Sequence, residues 1–229
     1  MKNIKFVVLK GFEGFENLEA ALPKPAKHYI PKWFKDMPQK MGEGLVPHTR
    51  TAKMCPSFID IWNEGFVIPA PCDIHISYNK DTQDWEWATP MEEIWLDVHG
   101  NPQMLDWTNQ DKYKCVFKLP IPFAAIVPKG YNFRQVPMIY HYNTDFEVAY
   151  GVYRADQVAE ITVQVMYTSD KPEILIKQGE PLCYLIPYKR EKFTMSIEPY
   201  NPKYDSKIKS GFFKVKSKFT HAYMKNTKD

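Results

Sequence analysis

Long hydrophobic runs, clustered cysteines and glycine-rich loops are all missing from this sequence of 229 residues. The apolar run Phe6–Leu9 is closed by Lys10, so we expect neither a secretory signal nor a span across a bilayer. The four cysteines lie too far apart for a typical zinc site or a disulfide framework, which predicts buried free thiols at Cys55, Cys72, Cys115 and Cys183. We therefore expect a protein of a reducing cytoplasm.

Motifs of the common enzyme classes are also missing. The sequence has no nucleophile elbow, no P-loop and no dinucleotide fingerprint. The pair Lys129-Gly130 lacks the upstream glycines of a phosphate-binding loop, so it predicts a turn. No cofactor is expected from these patterns.

What the sequence does contain favours β structure. Hydrophobic residues make up 44%, aromatic residues 15% and charged residues 25%, and there are 19 prolines. This composition indicates a soluble chain with a sizeable core, and the prolines and aromatics suit strands better than helices. The net charge of +3 is local, since residues 203–229 hold eight lysines and two aspartates.

The N-terminal part predicts little regular structure. Residues 2–9 are expected to form a strand, and five prolines make residues 11–53 an irregular arm. The arm includes one or two helical turns from Pro31, where Trp33 and Phe34 are candidates for binding a partner. A helix is predicted over 56–64, opening on proline and closing at Gly65 in the left-handed conformation.

From Phe66 onward the apolar period is two, which predicts an all-β core of short strands arranged as a closed or nearly closed barrel. The pattern divides the chain into an N-terminal strand, arm and helix (1–65), a core (66–199) and a basic C-terminal extension (200–229), all within one compact domain. The predicted strands are 66–69, 72–78, 84–88, 93–98, 114–119, 122–127, 131–140, 145–152, 159–166, 173–176, 181–187 and 192–198.

Three ordered segments within about 66–190 resemble motifs of dUTPases. Val127-Pro-Lys-Gly-Tyr131 is similar to their "PPGY" turn, Tyr153 to Ile161 to "IDADYRGEI", and Gly179 to Leu185 to "GDRIAQL". More loosely, Cys72-Asp-Ile-His75 is similar to the start of "GYDL". The dUTPases and dCTP deaminases share a distorted β-barrel of the β-clip type, commonly a trimer with active sites between subunits. The resemblance implies that architecture here.

The same comparison implies that the chemistry is lost. Arg154 stands where those enzymes place the water-activating carboxylate, and Gln157 stands where a tyrosine stacks under the base. Arginine cannot serve as a base at neutral pH. Asp156 and Glu160 match the motif, and they complete the four candidates for a degenerate pocket. We predict a protein without dUTPase activity.

The whole chain also resembles an uncharacterised family found mainly in tailed phages. The resemblance depends on residues 53–60, 65–75 and 186–191. It implies a phage protein, present in the host cytoplasm during infection and in the virion, and other phage structural proteins as partners. It brings no activity.

Other candidate sites have a structural and a functional interpretation. His75 and His99 each follow an aspartate by two residues, but the order is reversed from that of facial metal sites, so no metal is predicted. Trp85, Trp87, Trp95 and Trp107 favour core and interface packing over a stacking platform. A predicted strand carries three lysines on one face: Lys214, Lys216 and Lys218. This face could bind a partner or the phosphates of a nucleic acid. The favoured interpretation is an edge strand whose lysines prevent unwanted pairing with other strands.

We therefore predict a non-enzymatic phage structural or interaction protein that uses its core to oligomerise, with a trimer favoured and no membrane partner. The alternative is a protein with a nucleotide pocket, either a divergent dNTP pyrophosphatase or deaminase or a nucleotide sensor.

Overall fold

The computed structural model describes residues 3–41, 49–99 and 113–205. Contacts group the chain into two compact units: the first comprises Met1–Tyr29 with Glu64–Arg190, and the second comprises Ile30–Asn63 with the part of Glu191–Asp229 that is described. N-terminal residues belong to the first unit because Lys5–Val8 and Lys24–Pro25 pair with its strands.

The first unit is built from strands. In chain order they are β1 (Lys5–Val8), β2 (Lys24–Pro25), β5 (Phe66–Pro69), β6 (Ile74–Asn79), β7 (Asp84–Ala88), β8 (Asp97–His99), β9 (Cys115–Ile126), β10 (Tyr131–Pro137), β11 (Phe146–Val148), β12 (Gly151–Tyr153), β13 (Glu160–Tyr167), β14 (Glu173–Ile176) and β15 (Pro181–Lys189). The second unit contributes α1 (Lys32–Asp36), β3 (Lys40–Met41), β4 (Thr49–Arg50) and α2 (Pro56–Ile61). The predicted all-β class is confirmed.

Three antiparallel sheets surround the core of the first unit. One has the order β1-β9-β13-β11 with β8 also on β9, the second β12-β10-β15-β5-β2, and the third β14-β6-β7. Apolar residues from all three sheets form one buried cluster. Over the described residues the sheets are open, so a shared core, and not a continuous ring of hydrogen bonds, joins them.

Strand β13 shows why the period of two predicted this fold. Ile161, Val163 and Val165 are buried in the core, whereas Thr162 and Gln164 between them are only half-buried. Alternate side chains of a strand point to opposite faces, so one face of β13 packs inward.

The long strand β9 replaces two predicted strands, 114–119 and 122–127. Pro120 and Pro122 lie at the predicted break, and neither has an N–H to donate to a ladder. In the structure β8 pairs with residues 116–118 and β1 with 123–126, and the carbonyl of Pro122 accepts the N–H of Leu9 at 3.0 Å. No N–H of Pro120 or Pro122 is needed on that edge, because Pro120 lies between the two pairings and Pro122 only accepts, so the strand continues through them.

Other predicted strands also changed. The stretch 145–152 forms two short strands, β11 and β12, on different sheets, and 93–98 is strand only from Asp97. The predicted strand 192–198 has no regular secondary structure, and its side chains are exposed. A strand needs a partner, and none of the backbone hydrogen bonds in the described ranges reaches residues 192–198.

The second unit has a small aromatic core. Phe34 of α1 is buried and stacks on Phe58 of α2 with ring centroids 6.1 Å apart. Its ring also lies 6.0 Å from that of the buried Trp62. The two predicted helical segments are thus confirmed, with α2 ending at Ile61 rather than residue 64.

No helix among the described residues is long and apolar enough to cross a membrane.

Candidate functional site

Three of the residues predicted to mark a degenerate pocket lie on the connection between β12 and β13, and the fourth, Glu160, is the first residue of β13. The carbonyl of Arg154 accepts hydrogen bonds from the N–H groups of Gln157 at 2.8 Å and Val158 at 2.9 Å, which closes a tight turn. Arg154, Gln157 and Glu160 are exposed. Only Asp156 turns inward, with 7% of its side chain exposed.

Both oxygens of the Asp156 carboxylate accept hydrogen bonds. Its Oδ2 accepts the backbone N–H of Gly130 at 2.8 Å. The guanidinium of Arg190 donates to both carboxylate oxygens, from Nη1 to Oδ1 at 3.2 Å and from Nη2 to Oδ2 at 2.9 Å. The Gly130 N–H, followed by Arg190, holds the pKa of Asp156 below its ordinary value. A carboxylate held in this way stays ionised and paired.

Arg190 extends the arrangement to a third segment. Its Nη1 also donates to Oδ1 of Asn132 at 3.0 Å, and its backbone N–H donates to the carbonyl of Gly130 at 2.8 Å. We call Gly130, Asn132, Asp156 and Arg190 the Asp156 clamp. It connects the turn before β10, the turn after β12 and the end of β15. Bidentate pairs between arginine and a carboxylate add stability and also restrict the geometry of the groups that they join.

The clamp gives the motif a structural role in this chain. The sequence marked Asp156 as a pocket residue and residues 186–191 only as part of a resemblance, so the partnership with Arg190 was missed. Thirty-four positions separate the two residues, and no local pattern signals such a pair. At the position of the resembled catalytic carboxylate the chain presents the exposed cation of Arg154.

The histidine pairs do not form the metal arrangement that the sequence suggested as an alternative. His75 Nε2 lies 2.9 Å from Glu173 Oε2 on the neighbouring strand, whereas Asp73 accepts the N–H of Gln178 at 2.7 Å. Within residues 3–41, 49–99 and 113–205, no three His, Cys, Asp or Glu side chains come together as metal ligands would.

Trp85 and Trp87 make different aromatic contacts. Trp85 packs at the edge of the core, with its ring 4.7 Å from Tyr167 and 5.9 Å from Phe117. Trp87 meets the exposed Trp95 edge to face at 4.8 Å. The predicted packing role therefore holds for Trp85, while Trp107 lies outside the described residues.

A groove of about 1030 Å³ opens beside Trp85. We call it the Trp85 groove; its polar and aromatic lining includes Tyr78, Lys80, Tyr113, Lys114 and Lys171. Lys114 is paired with Asp170 at 2.7 Å and Lys171 with Asp145 at 2.9 Å. The groove thus combines rings with cations whose charges are already partly balanced.

A second groove, of about 830 Å³, is lined by tyrosines and aliphatic residues. We call it the tyrosine groove, after Tyr140, Tyr142 and Tyr150. Tyr142 and Tyr150 are 74% and 73% exposed, and Tyr140 and Tyr142 adopt φ of 61° and 53°. Left-handed conformations are uncommon for aromatic residues. None of the four pocket candidates lines either groove.

The predicted partner-binding residues have different positions. Phe34 belongs to the aromatic core of the second unit, whereas Trp33 is half-buried with its ring 5.7 Å from Phe34. The lysines at 214, 216 and 218 lie outside the described residues. Phe34 is therefore occupied by contacts within the second unit.

Comparison with known proteins finds no matching protein family and no matching curated protein. Among solved structures, the native dUTPase of EIAV is similar over 60% of this chain and 83% of its own, with 15% identity and a TM-score of 0.35. A mutant dUTPase from phage phi11 of S. aureus is similar over 61% of this chain and 85% of its own, with 10% identity and a TM-score of 0.34.

Proposed function

We propose that this protein works by binding rather than by catalysis, as a self-associating structural or interaction component of a phage particle. The observation on which this depends is the Asp156 clamp. The one inward-facing carboxylate of the candidate site binds Gly130 and Arg190, so it holds the fold and is not available to activate water. A general base needs a free lone pair directed at its proton, in hydrogen-bond reach of the substrate.

Electrostatics at the turn support the same proposal. Arg154 supplies a permanent positive charge in an exposed position, where it is unable to accept a proton at neutral pH. Gln157 and Glu160 are exposed as well, and neither lines a groove. Stabilisation of a transition state requires preorganised groups that converge on one point.

Self-association is supported by exposed apolar and aromatic side chains. Tyr142 and Tyr150 rim the tyrosine groove, and the neighbouring edge strand β12 exposes Val152. Accessible tyrosines are typical of interfaces because they give large contact area at a low cost in side-chain entropy. The assignment to a phage particle depends on the resemblance of residues 53–60, 65–75 and 186–191 to a tailed-phage family.

The catalytic part of the proposal is tested by turnover. Purified protein is incubated with dUTP and the other dNTPs in the presence of Mg²⁺, and the release of pyrophosphate and of ammonia is measured. We expect no turnover above that of a control without protein. Robust metal-dependent turnover by the wild type would contradict the proposal, and an Arg154→Ala variant would then show whether the exposed cation takes part.

The binding part is tested in solution and in particles. Light scattering at tens of micromolar, about the range in which moderate interfaces saturate, is expected to find an oligomer. Mass spectrometry is expected to find the chain in purified virions. Its presence in infected lysate and its absence from virions would contradict the particle assignment.

A nucleotide-binding protein is the second candidate, and the Trp85 groove favours it. Aromatic rings beside Lys80, Lys114 and Lys171 suit an aromatic, anionic ligand. Calorimetric titration of dNTPs tests it, with Trp85→Ala as the variant that loses binding. If a dNTP bound saturably, if binding required Trp85 and if no turnover followed, a nucleotide sensor would replace a particle component as the proposed function.

A further inference from the structure

Residues 192–198 have the composition of a strand, but none of the residues that the structure describes pairs with them as a strand. The segment reads Lys-Phe-Thr-Met-Ser-Ile-Glu, with apolar and polar residues in strict alternation and Pro199 after it. Phe193, Met195 and Ile197 are 86%, 87% and 90% exposed. Three apolar side chains exposed to this extent at alternate positions indicate a surface that is covered in the functional assembly.

The order of residues makes this segment complementary to itself. When two copies run antiparallel about Met195, Lys192 of each lies opposite Glu198 of the other. Phe193 then lies opposite Ile197, and Thr194 opposite Ser196. Opposite charges, aromatic with β-branched side chains, and paired hydroxyls are the cross-strand combinations that stabilise antiparallel sheets.

The same register separates the two faces. Phe193, Met195 and Ile197 of both copies lie together on one face of the ribbon, and the charged and hydroxyl side chains lie on the other. Glu191 faces Pro199 just beyond the ladder, where the missing N–H of proline ends the pairing. A shift by one residue would place apolar side chains opposite polar ones, so the sequence specifies this register over its neighbours.

We propose that residues 192–198 pair with the same residues of a second copy, forming a two-stranded antiparallel ribbon centred on Met195. The proposal deepens the self-association above and depends on it. An isolated two-stranded ribbon is marginal in water. The ribbon therefore forms in an assembly where other contacts hold the two copies close, which raises the effective concentration of one segment near the other.

Cross-linking tests the register directly. Met195 lies on the two-fold axis, so Met195→Cys places two thiols on opposed residues whose Cα atoms are about 4.5–5.5 Å apart, a separation that a disulfide spans. Ile197→Cys is the matched control, because two copies of residue 197 lie about 14 Å apart along the ribbon, from four residues at about 3.4 Å each. Under a mild oxidant we expect a covalent dimer for Met195→Cys, and none for Ile197→Cys or for the wild type with its half-buried Cys55.

Charge reversal tests the complementarity without a cross-link. Lys192→Glu places two glutamates opposite each other at both ends of the ribbon, and we expect the dissociation constant to rise about tenfold. The double variant Lys192→Glu/Glu198→Lys restores opposite charges in the reversed sense, and we expect it to recover wild-type association. Both variants change exposed side chains, and the double variant also loses the hydrogen bond that the Tyr204 hydroxyl donates to Glu198 Oε2 at 3.3 Å, so the unfolding midpoint of each variant is compared with that of the wild type.

The outcomes separate this inference from the proposed function. Equal cross-linking of the two cysteine variants, or a double variant as weak as the single one, overturns the ribbon. An oligomer that persists in every variant without a Met195→Cys cross-link overturns the ribbon and leaves self-association standing. A wild type that is monomeric, together with a Met195→Cys variant that gives no cross-link, overturns both.

Discussion

Substituting Gly65 with alanine is expected to destabilise the first unit strongly, for two separable reasons. Gly65 has φ of +72°, in the left-handed region. A Cβ at this position would lie 2.5 Å from the carbonyl oxygen of Leu185 and 3.1 Å from Cα of Ile186. Both contacts are with backbone atoms of β15, which is paired on both sides and cannot move away easily.

The size of the effect follows from the two terms. A left-handed conformation costs a residue with a Cβ about 1–2 kcal/mol. Forcing extra volume into a packed site costs roughly 1–3 kcal/mol. We therefore expect Gly65→Ala to lower the free energy of unfolding by about 2–5 kcal/mol, which for a chain of this size lowers Tm by about 5–15 °C.

Two other glycines of the first unit separate the terms. Gly11 has φ of +91° but nothing within 4 Å of a Cβ, so Gly11→Ala measures the conformational cost alone. Gly151 has neither a left-handed φ nor a neighbour within 4 Å, so Gly151→Ala is expected to be neutral or slightly stabilising, since it restricts the unfolded chain.

The assay is urea unfolding followed by tryptophan fluorescence, with the slope of free energy against urea compared among the three variants. We expect stability to fall in the order Gly151→Ala, Gly11→Ala, Gly65→Ala, at a constant slope. If Gly65→Ala matched Gly11→Ala within about 0.5 kcal/mol, the close approach to Leu185 would be refuted as a source of strain.

Three further predictions follow from the described contacts. The folded-state pKa of Asp156 lies below its ordinary value of 3.8, so the clamp's contribution to stability is present above that value and is lost as pH falls through the folded pKa. The stability gap between the wild type and Asp156→Asn should therefore narrow below about pH 4, and a gap that widens there would contradict the clamp. Phe34→Ala should lower the free energy of unfolding by about 3–5 kcal/mol, as expected for a ring in a core, and Trp33→Ala should lower it distinctly less. If urea unfolding gave the larger loss for Trp33→Ala, Phe34 would be assigned to a partner surface. Burial raises the pKa of Cys72 to about 11 and of Cys115 to about 12, so at pH 8 only the half-buried Cys55 should react with a thiol reagent in the native protein, and all four thiols should react after denaturation.

The sequence was sufficient for the fold class because the relevant information is local. Alternation in residues 161–166 marked a half-buried strand, and the proline at residue 56 marked the first turn of α2. Widely spaced cysteines predicted buried free thiols; all four are free, three of them are buried, and the burial predicted for Cys55 is wrong because it is only half-buried. These features depend on backbone periodicity and on the properties of single residues.

Tertiary structure decided the features that depend on which segments meet. The continuity of β9 through two prolines depends on where β1 and β8 pair with it, and the role of Asp156 depends on Arg190 at the end of β15. The segment 192–198 shows the same division: its own residues predicted a strand, but a strand exists only where a second strand supplies hydrogen bonds. Periodicity determines which face of a segment is apolar, whereas the partner of that face is determined by contacts between residues far apart in the chain.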